Sequence, residues 1–340
     1  MGKQDLLDLL REYRNASEEF QATSYWKAYE KEILKIVSKI DFNYLRSGRY
    51  PRLASFGFAD GIYSRRYTPW KKAVLKIFRI KEPQVTPYYL TPEDMQEMAF
   101  HHCQLVGRLN DAKSLEDISV STFGSPGGVF TVNNNQYTVS FLNYYLRYCF
   151  AHRHIKFTGK EVIVEIGSGS GYQVEILKKL YPEITIICFD LPAQIYLCER
   201  YLSEALGNDE VVKTNVTLEW RDLSLLEKGK VYCFGCWQVP LLNELEFDVF
   251  WNAASFGEME PDVVNNYLGY VKNRAKWIYL LQKRHGQKTT GRVHVKQPIT
   301  LAHYRAMLNG YRLIEEQSAF SSINKMRGDY FEGIWRREYV

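Results

Sequence analysis

The chain has 340 residues, 46% of them hydrophobic and 24% charged, which allows a globular core of ordinary size and exceeds one small domain. A net charge of +5 is too slight for the concentrated basic face of a nucleic-acid binder. No stretch is apolar over the length that spans a bilayer, and Met1 to Leu10 mixes acids into its apolar residues instead of following a signal peptide's layout, so a cytoplasmic location is expected.

Residues 5–40 read as helices, with Leu6, Leu9, Leu10 and Tyr13 on one face and a second apolar repeat from Tyr25 to Ile40. Arg46 to Pro69 reads as irregular structure. The basic residues Arg65-Arg66 and Lys71-Lys72 there, like Trp335-Arg336-Arg337 near the C-terminus, read as solvated faces or as contacts for an anionic substrate. Pro83 to Pro92 is a break. Thr91, Pro92, Glu93 and Asp94 then supply an N-cap, a first-turn proline and first-turn acids for a helix to about Leu109. Gly124 to Gly128 is a loop, followed by short strands at 129–132 and 137–139 around Asn133-Asn134-Asn135, and an aromatic helix at 141–151. Residues 1–120 are expected to form a mainly helical accessory region, serving as lid, substrate contact or dimer contact. Residues 121–340 are expected to form the nucleotide-type domain.

From Lys160 strands and helices alternate: strand 161–166, helix 172–181, strand 184–189, helix 193–206, a strand within 230–237, strand 247–252, helix 261–272 and strand 277–281. Alternation of this kind predicts an α/β fold, a Rossmann-like, doubly wound, mostly parallel sheet whose ligand sits at the carboxyl ends of the strands. The strand exits at 167–172, 190–192, 237–238, 252–259 and 282–286 are therefore the candidate site. Six cysteines are scattered through the chain, and Cys233-Phe-Gly-Cys236 has no partner pair. That reads as reduced cysteine packed at a strand end, not as a disulfide framework or a zinc site. His101-His102 and His152-x-His154 lie off the strand exits, and no metal is expected.

The first exit decides the cofactor class. Val162 to Tyr172 carries Glu165 and then Gly167, Gly169 and Gly171, a G-x-G-x-G run. A dinucleotide fold needs its third glycine where Tyr172 stands, and Glu165 would repel a pyrophosphate. Glu165 with this glycine run resembles the first motif of class I S-adenosylmethionine (SAM) methyltransferases. The resemblance implies SAM as cofactor, a glycine turn beneath its methionine part, Glu165 ordering the cationic amino-acid end, and Asp190 accepting from the ribose hydroxyls. It extends over Phe189-Asp-Leu-Pro192 and Asn252 to Met259, and over roughly residues 90–285 the chain is similar to the sugar O-methyltransferase family, associated with surface polysaccharide biosynthesis.

The cofactor-binding set implied is Glu165, Gly167, Ser168, Gly169, Gly171, Tyr172, Asp190, Leu191, Trp237, Gln238 and Asn252. Trp237 and Gln238 are expected to pack on and bond the adenine, and a side chain at Gly169 is expected to enter the cofactor's space. The acceptor hydroxyl needs a general base at the sulfonium end. Glu258 is the first candidate, with the alternative that it closes a capping box from Ser255. His285 is the second, because imidazole accepts a proton near neutral pH. The acceptor reads as a sugar or glycan hydroxyl, free or carried on a nucleotide or lipid, with a homo-oligomer conceivable. A non-sugar natural product, or SAM binding without catalysis, stays open. The glycine spacing argues against a nicotinamide oxidoreductase, and the charge argues against a nucleic-acid methyltransferase.

Overall fold

The computed structural model describes residues 3–58, 60, 92–286, 295–320 and 329–338. Thr91 and the basic pairs at 65–66 and 71–72 lie outside them, as does most of the Pro83–Pro92 break.

The accessory region supplies α1 (Lys3–Asn15), α2 (Ser24–Val37) and α3 (Pro92–Leu109). A hairpin follows, β1 (Phe130–Val132) and β2 (Asn135–Tyr137), then α4 (Val139–Ile155). Asn133 and Asn134 turn that hairpin at φ 49° and 70°, the left-handed pair that a two-residue turn requires. Thr138 caps α4, its hydroxyl accepting from the Phe141 N–H at 3.2 Å.

The sheet domain runs β3 (Val162–Ile166), α5 (Tyr172–Leu180), β4 (Thr185–Asp190), α6 (Pro192–Leu206), β5 (Val211–Val212), α7 (Thr214–Thr217), β6 (Val231–Gly235), β7 (Phe247–Ala253), α8 (Pro261–Val271), β8 (Ala275–Lys283), α9 (Leu301–Met307), β9 (Tyr311–Ser318) and β10 (Tyr330–Arg337). Together these strands form an 8-stranded sheet in the order β5-β6-β4-β3-β7-β8-β10-β9. β10 is antiparallel to both β8 and β9, and the pairings from β5 to β8 are parallel. The order reverses between β3 and β7, so their carboxyl ends open the crevice in which such sheets hold a ligand. The mostly parallel Rossmann-like sheet with an N-terminal helical region is the fold of class I methyltransferases.

The antiparallel end departs from the expectation of a solvated C-terminus. Trp335 is 1% exposed, packed under the sheet on β10. The last two residues of β10 approach water: Arg336 lies 5.2 Å over the Trp277 ring, and Arg337 pairs with Glu246. The run from Phe331 to Trp335 is buried on both faces, so Arg336 and Arg337 mark only the strand's end.

Both faces of the sheet are covered. Ile163, Cys188, Trp251, Tyr279 and Ile334 pack toward α4, α5 and α6, and Val164, Ile187, Phe234, Phe250 and Leu280 pack toward α8 and α9. Leu6, Leu9 and Leu10 of α1 join the first of these cores, and α1 and α2 lie against α6. All six cysteines are free and buried. Cys233 sits within β6, and Cys236, just past its end, donates its thiol to the Phe20 carbonyl at 3.4 Å.

Candidate functional site

A cavity of about 250 Å³ opens at the exits of β3, β4, β6 and β7. Its floor is Glu165 to Gly169 with Asp190 and Leu191; its far wall is Ala253 to Ser255, Glu258 and Met259; Tyr144 and Arg147 of α4 close one side. The accessory region forms the roof, through Phe20 to Thr23, Trp26, Ala54, Phe56 and Gly57.

The floor is shaped by backbone that only glycine takes easily. Gly167 has φ +81° and a Cβ on it would stand 2.3 Å from the Ser255 hydroxyl. Gly169 has φ +53°, and a Cβ there would meet the Phe56 carbonyl oxygen at 3.0 Å. That differs from the expectation for Gly169: a side chain would first strike the roof, because residues 54–57 are laid directly on the turn. Gly171 faces Leu202 and Cys198 of α6, a helix-packing contact off the cavity wall.

Asp190 holds the turn and still faces the cavity. One carboxylate oxygen accepts from the Gly169 N–H at 2.9 Å and the other from the Leu191 N–H at 2.8 Å. Each oxygen retains a lone pair for a hydroxylated ligand. Burial pushes this carboxyl up to about 6, and the two backbone donors pull it back.

Glu165 and Glu258 complete an acidic set. Burial, with Asp190 adding to it, pushes Glu165 up to about 8, and Arg147 pulls the other way. Burial likewise pushes Glu258 up to about 8; hydrogen bonds from Trp26 and Tyr25 and the charge of Lys283 oppose this, and Asp190 reinforces it. Among the described residues lining the cavity, Arg147 is the one basic side chain. Three carboxyls, Glu165 buried and Asp190 and Glu258 half-buried, facing one guanidinium suit a ligand that brings positive charge, and would repel a pyrophosphate. SAM carries a sulfonium and an ammonium, so the residues present fit it. Glu165 and Asp190 would hold its amino-acid end and ribose, and Arg147 is placed to meet a carboxylate.

Glu258 is not closing a helix cap. Ser255 makes no side-chain cap, and its hydroxyl donates to the Ile166 carbonyl at 3.2 Å and accepts from the Asn252 amide at 2.7 Å. The Gly257 N–H donates to Gln282 at 3.0 Å, which fixes the loop and leaves the Glu258 side chain to the cavity.

Several sequence candidates stand elsewhere. Asn252 spends its amide on the Ile166 carbonyl, Ser255, Phe256 and Gln282, and so braces the far wall from behind. Gln238 accepts from the Gly235 N–H and donates to the Thr217 carbonyl, closing a turn. Trp237 packs on Tyr13 with ring centroids 5.6 Å apart, and Cys236 is the residue of that exit which lines the cavity. Tyr172 is fully buried behind the turn, its hydroxyl donating to Asp60. His285 has a 79% exposed side chain paired with Asp329 at 3.2 Å, off the cavity wall. Its turn lies beyond the end of β8; the side chain of that exit which is electrostatically tied to Glu258 is Lys283.

Sequence reading missed Arg147 and, though it offered the accessory region as a lid, named none of the roof residues. Arg147 sits mid-helix among aromatics, 4.2 Å over the Tyr144 ring, and α4 precedes the first strand that carries a recognisable motif. The other histidine candidates of the sequence do not reach the cavity: His101 is exposed, and His152 and His154 bond the Asp111 carbonyl and Glu315. Among the described residues no group of three or more His, Cys, Asp or Glu could hold a metal, and no helix is long and apolar enough to cross a membrane.

The comparisons fall on the same segment. The O-methyltransferase domain family matches residues 146–216, which run from Leu146 of α4 through the glycine turn and Asp190 to α7. No curated protein matches the chain. Among solved structures, the pyocyanin biosynthetic protein PhzM is similar with TM-score 0.36 and 11% identity, over 57% of this chain and 58% of that one. A mitomycin 7-O-methyltransferase is similar with TM-score 0.38 and 12% identity, over 74% of each chain. An S-adenosylmethionine-dependent methyltransferase from Clostridium acetobutylicum gives TM-score 0.40 and 9% identity, over 58% of this chain and 92% of that one. The chain thus spans under two thirds of the length of PhzM. The matched segment and the acidic cavity agree on the class of the cofactor half: that of a SAM-dependent methyltransferase, with SAM as its cofactor.

Proposed function

We propose that this chain is a SAM-dependent O-methyltransferase acting on a hydroxyl of a small, largely apolar molecule. The acidic cavity with its single arginine carries the cofactor part of this reading. The acceptor part rests on the rest of the lining, where Phe20, Trp26, Phe56, Met259, Val263 and Tyr267 offer apolar and aromatic faces. A flat, weakly polar acceptor suits such walls better than a polyhydroxylated sugar, whose many donors and acceptors would lose water without replacement. Pyocyanin biosynthesis and mitomycin 7-O-methylation are named for the similar structures; the cavity's own lining is what supports the acceptor class here.

SAM, when bound, supplies a methyl group on a cationic sulfur. The chain's residues then have separate tasks. Glu165 and Arg147 orient the amino-acid end, and Asp190 holds the ribose, which together fix one reaction partner. Glu258 takes the proton from the acceptor hydroxyl. Its raised pKa makes it a stronger base than an exposed glutamate, and positive charge brought into the cavity favours its ionised form. The aromatic roof excludes water, so the activated hydroxyl is kept for transfer.

The test is calorimetric titration with S-adenosylhomocysteine, with NADH as control, followed by SAM turnover against two acceptor panels. One panel holds phenols and other flat hydroxyl compounds, the other free and nucleotide-linked sugars. Turnover with the first panel alone supports the reading. Turnover with sugars alone replaces the acceptor class, and tight binding without any acceptor turning over replaces catalysis with SAM binding.

A further inference from the structure

The site described so far leaves one buried ion pair unused. Arg46 and Asp60, both from the accessory region, have side chains 0% exposed and meet at 2.8 Å. Breaking such a pair is costly, so its position is informative. Asp60 receives three donors from three elements: the Arg46 Nε, the Thr138 hydroxyl at 2.9 Å, and the Tyr172 hydroxyl. Thr138 is the N-cap of α4, and Tyr172 is the first residue of α5, next to Gly171. The carboxylate therefore ties the starts of α4 and α5 together through the side-chain hydroxyls of Thr138 and Tyr172. Arg46 spreads the tie, donating to the Ser121 carbonyl at 2.6 Å and to Tyr201 of α6 at 3.1 Å, with its guanidinium 4.5 Å from the Tyr172 ring centroid.

These two helices carry opposite parts of the cofactor wall. α4 presents Tyr144 and Arg147 to the cavity, and α5 is entered through the glycine turn that presents Gly167 to Gly169. We infer that Asp60 is a positioning residue for the cofactor site, fixing the spacing between Arg147 on α4 and the glycine turn ahead of α5. The inference rests on the SAM reading of that cavity. The same carboxylate secures the roof: Gly57 lies so close to the turn that a Cβ on it would stand 2.8 Å from the Ser170 hydroxyl. The accessory region is thus an integral part of the cofactor site through Ala54, Phe56 and Gly57, braced by Arg46 and Asp60.

The experiment compares Asp60→Asn, Tyr172→Phe and a control, Glu199→Gln. Glu199 is an equally buried carboxylate on α6, held by the Thr214 N–H at 2.7 Å and remote from the cavity lining. Each full-length variant is measured for thermal stability, for S-adenosylhomocysteine affinity, and for KM of SAM against kcat. Asp60→Asn should weaken S-adenosylhomocysteine by about tenfold, the scale of one charge-assisted hydrogen bond, and raise KM for SAM more than it lowers kcat. Tyr172→Phe should do the same to a smaller extent, and it decides the matter if the asparagine variant does not fold. Glu199→Gln should lose stability with unchanged affinity. Affinity losses in Asp60→Asn and Tyr172→Phe no larger than in Glu199→Gln at equal loss of stability would overturn the inference and leave the SAM reading standing. A wild-type chain that does not bind S-adenosylhomocysteine would overturn both.

Discussion

Replacing Glu258 with glutamine tests the chemistry with little change of shape. The side chain keeps its volume, and loses the ability to take a proton together with its negative charge and one of the two oxygens open to Trp26 and Tyr25. General-base catalysis contributes about 10²–10⁴-fold, so kcat should fall about a hundredfold or more. S-adenosylhomocysteine affinity should change far less, because Glu165, Asp190 and Arg147 hold the cofactor. The wild-type pH profile supplies a second reading. With the Glu258 carboxyl near 8 in the free chain, kcat/KM for SAM should rise with pH up to about that value. The limb in kcat/KM for the acceptor at saturating SAM should lie at lower pH, because the bound sulfonium favours the carboxylate. In Glu258→Gln the acceptor limb at saturating SAM should vanish, whereas Glu165, also raised to about 8, keeps a limb in kcat/KM for SAM. Stability separates base from cap: a lost cap costs about 1 kcal/mol, whereas here the Ser255 hydroxyl is engaged elsewhere and no such loss is expected. A variant that keeps kcat within about threefold of wild type would refute the role of Glu258 as base, since that lies below the smallest contribution expected of one.

Three further outcomes follow from the same geometry. Gly167→Ala should displace the Ser255 loop, because its Cβ would fall 2.3 Å from the Ser255 hydroxyl at φ +81°; weaker S-adenosylhomocysteine binding with a lowered Tm would show it, and unchanged values would contradict the close approach. The apo chain should lose thermal stability as pH rises from about 4.5 to 8, because Glu165, Glu199 and Glu258 hold their protons to about 8 when folded and release them near 4.5 when unfolded. Their favourable contribution is whole below the unfolded value and is lost as pH climbs through the folded one, so a Tm that rose steadily to pH 8 would contradict it. Turnover should survive EDTA, and its loss with recovery on adding magnesium would show a metal requirement.

The order of most parallel elements was legible because each strand reads as a short apolar run and each helix has its own repeat, with boundaries from β3 to α8 within a residue or two; β5 and α7 were missed, because two strand residues and a single helical turn are too short to show a repeat. β9 and β10 were not legible as strands. Tyr311 to Ser318 and Tyr330 to Arg337 mix charged residues irregularly among apolar ones, at 312, 315 and 316 and at 332, 336 and 337, and their pairing partners come from distant β8 and from each other. Within the site, the residues that a short motif fixes locally reached the cavity: Glu165, Gly167, Ser168, Gly169, Asp190, Leu191 and Glu258. Asn252, Trp237, Gln238 and Gly171 lie at strand exits too, yet tertiary partners turn them inward, and a sequence position cannot say which way a side chain at a strand end is drawn. His285 failed for a related reason: β8 runs on to Lys283, so the turn carries the histidine past the cavity.

The distribution of charge explains why the cofactor motif and the accessory region belong to one site. Gathering Glu165, Asp190 and Glu258 where water is partly excluded is unfavourable, and desolvation pushes each carboxyl up accordingly. Two things hold them there: the backbone donors that fix Asp190 against the glycine turn, and a roof from residues 20–26 and 54–57 that removes the water which would otherwise screen them. A doubly cationic ligand relieves that repulsion, whereas its neutral-sulfur product relieves less of it. Product should therefore bind more weakly relative to substrate as pH rises and the carboxyls ionise. The same acids that lower apo stability thus favour SAM over S-adenosylhomocysteine, and they do so only while the roof keeps water from them.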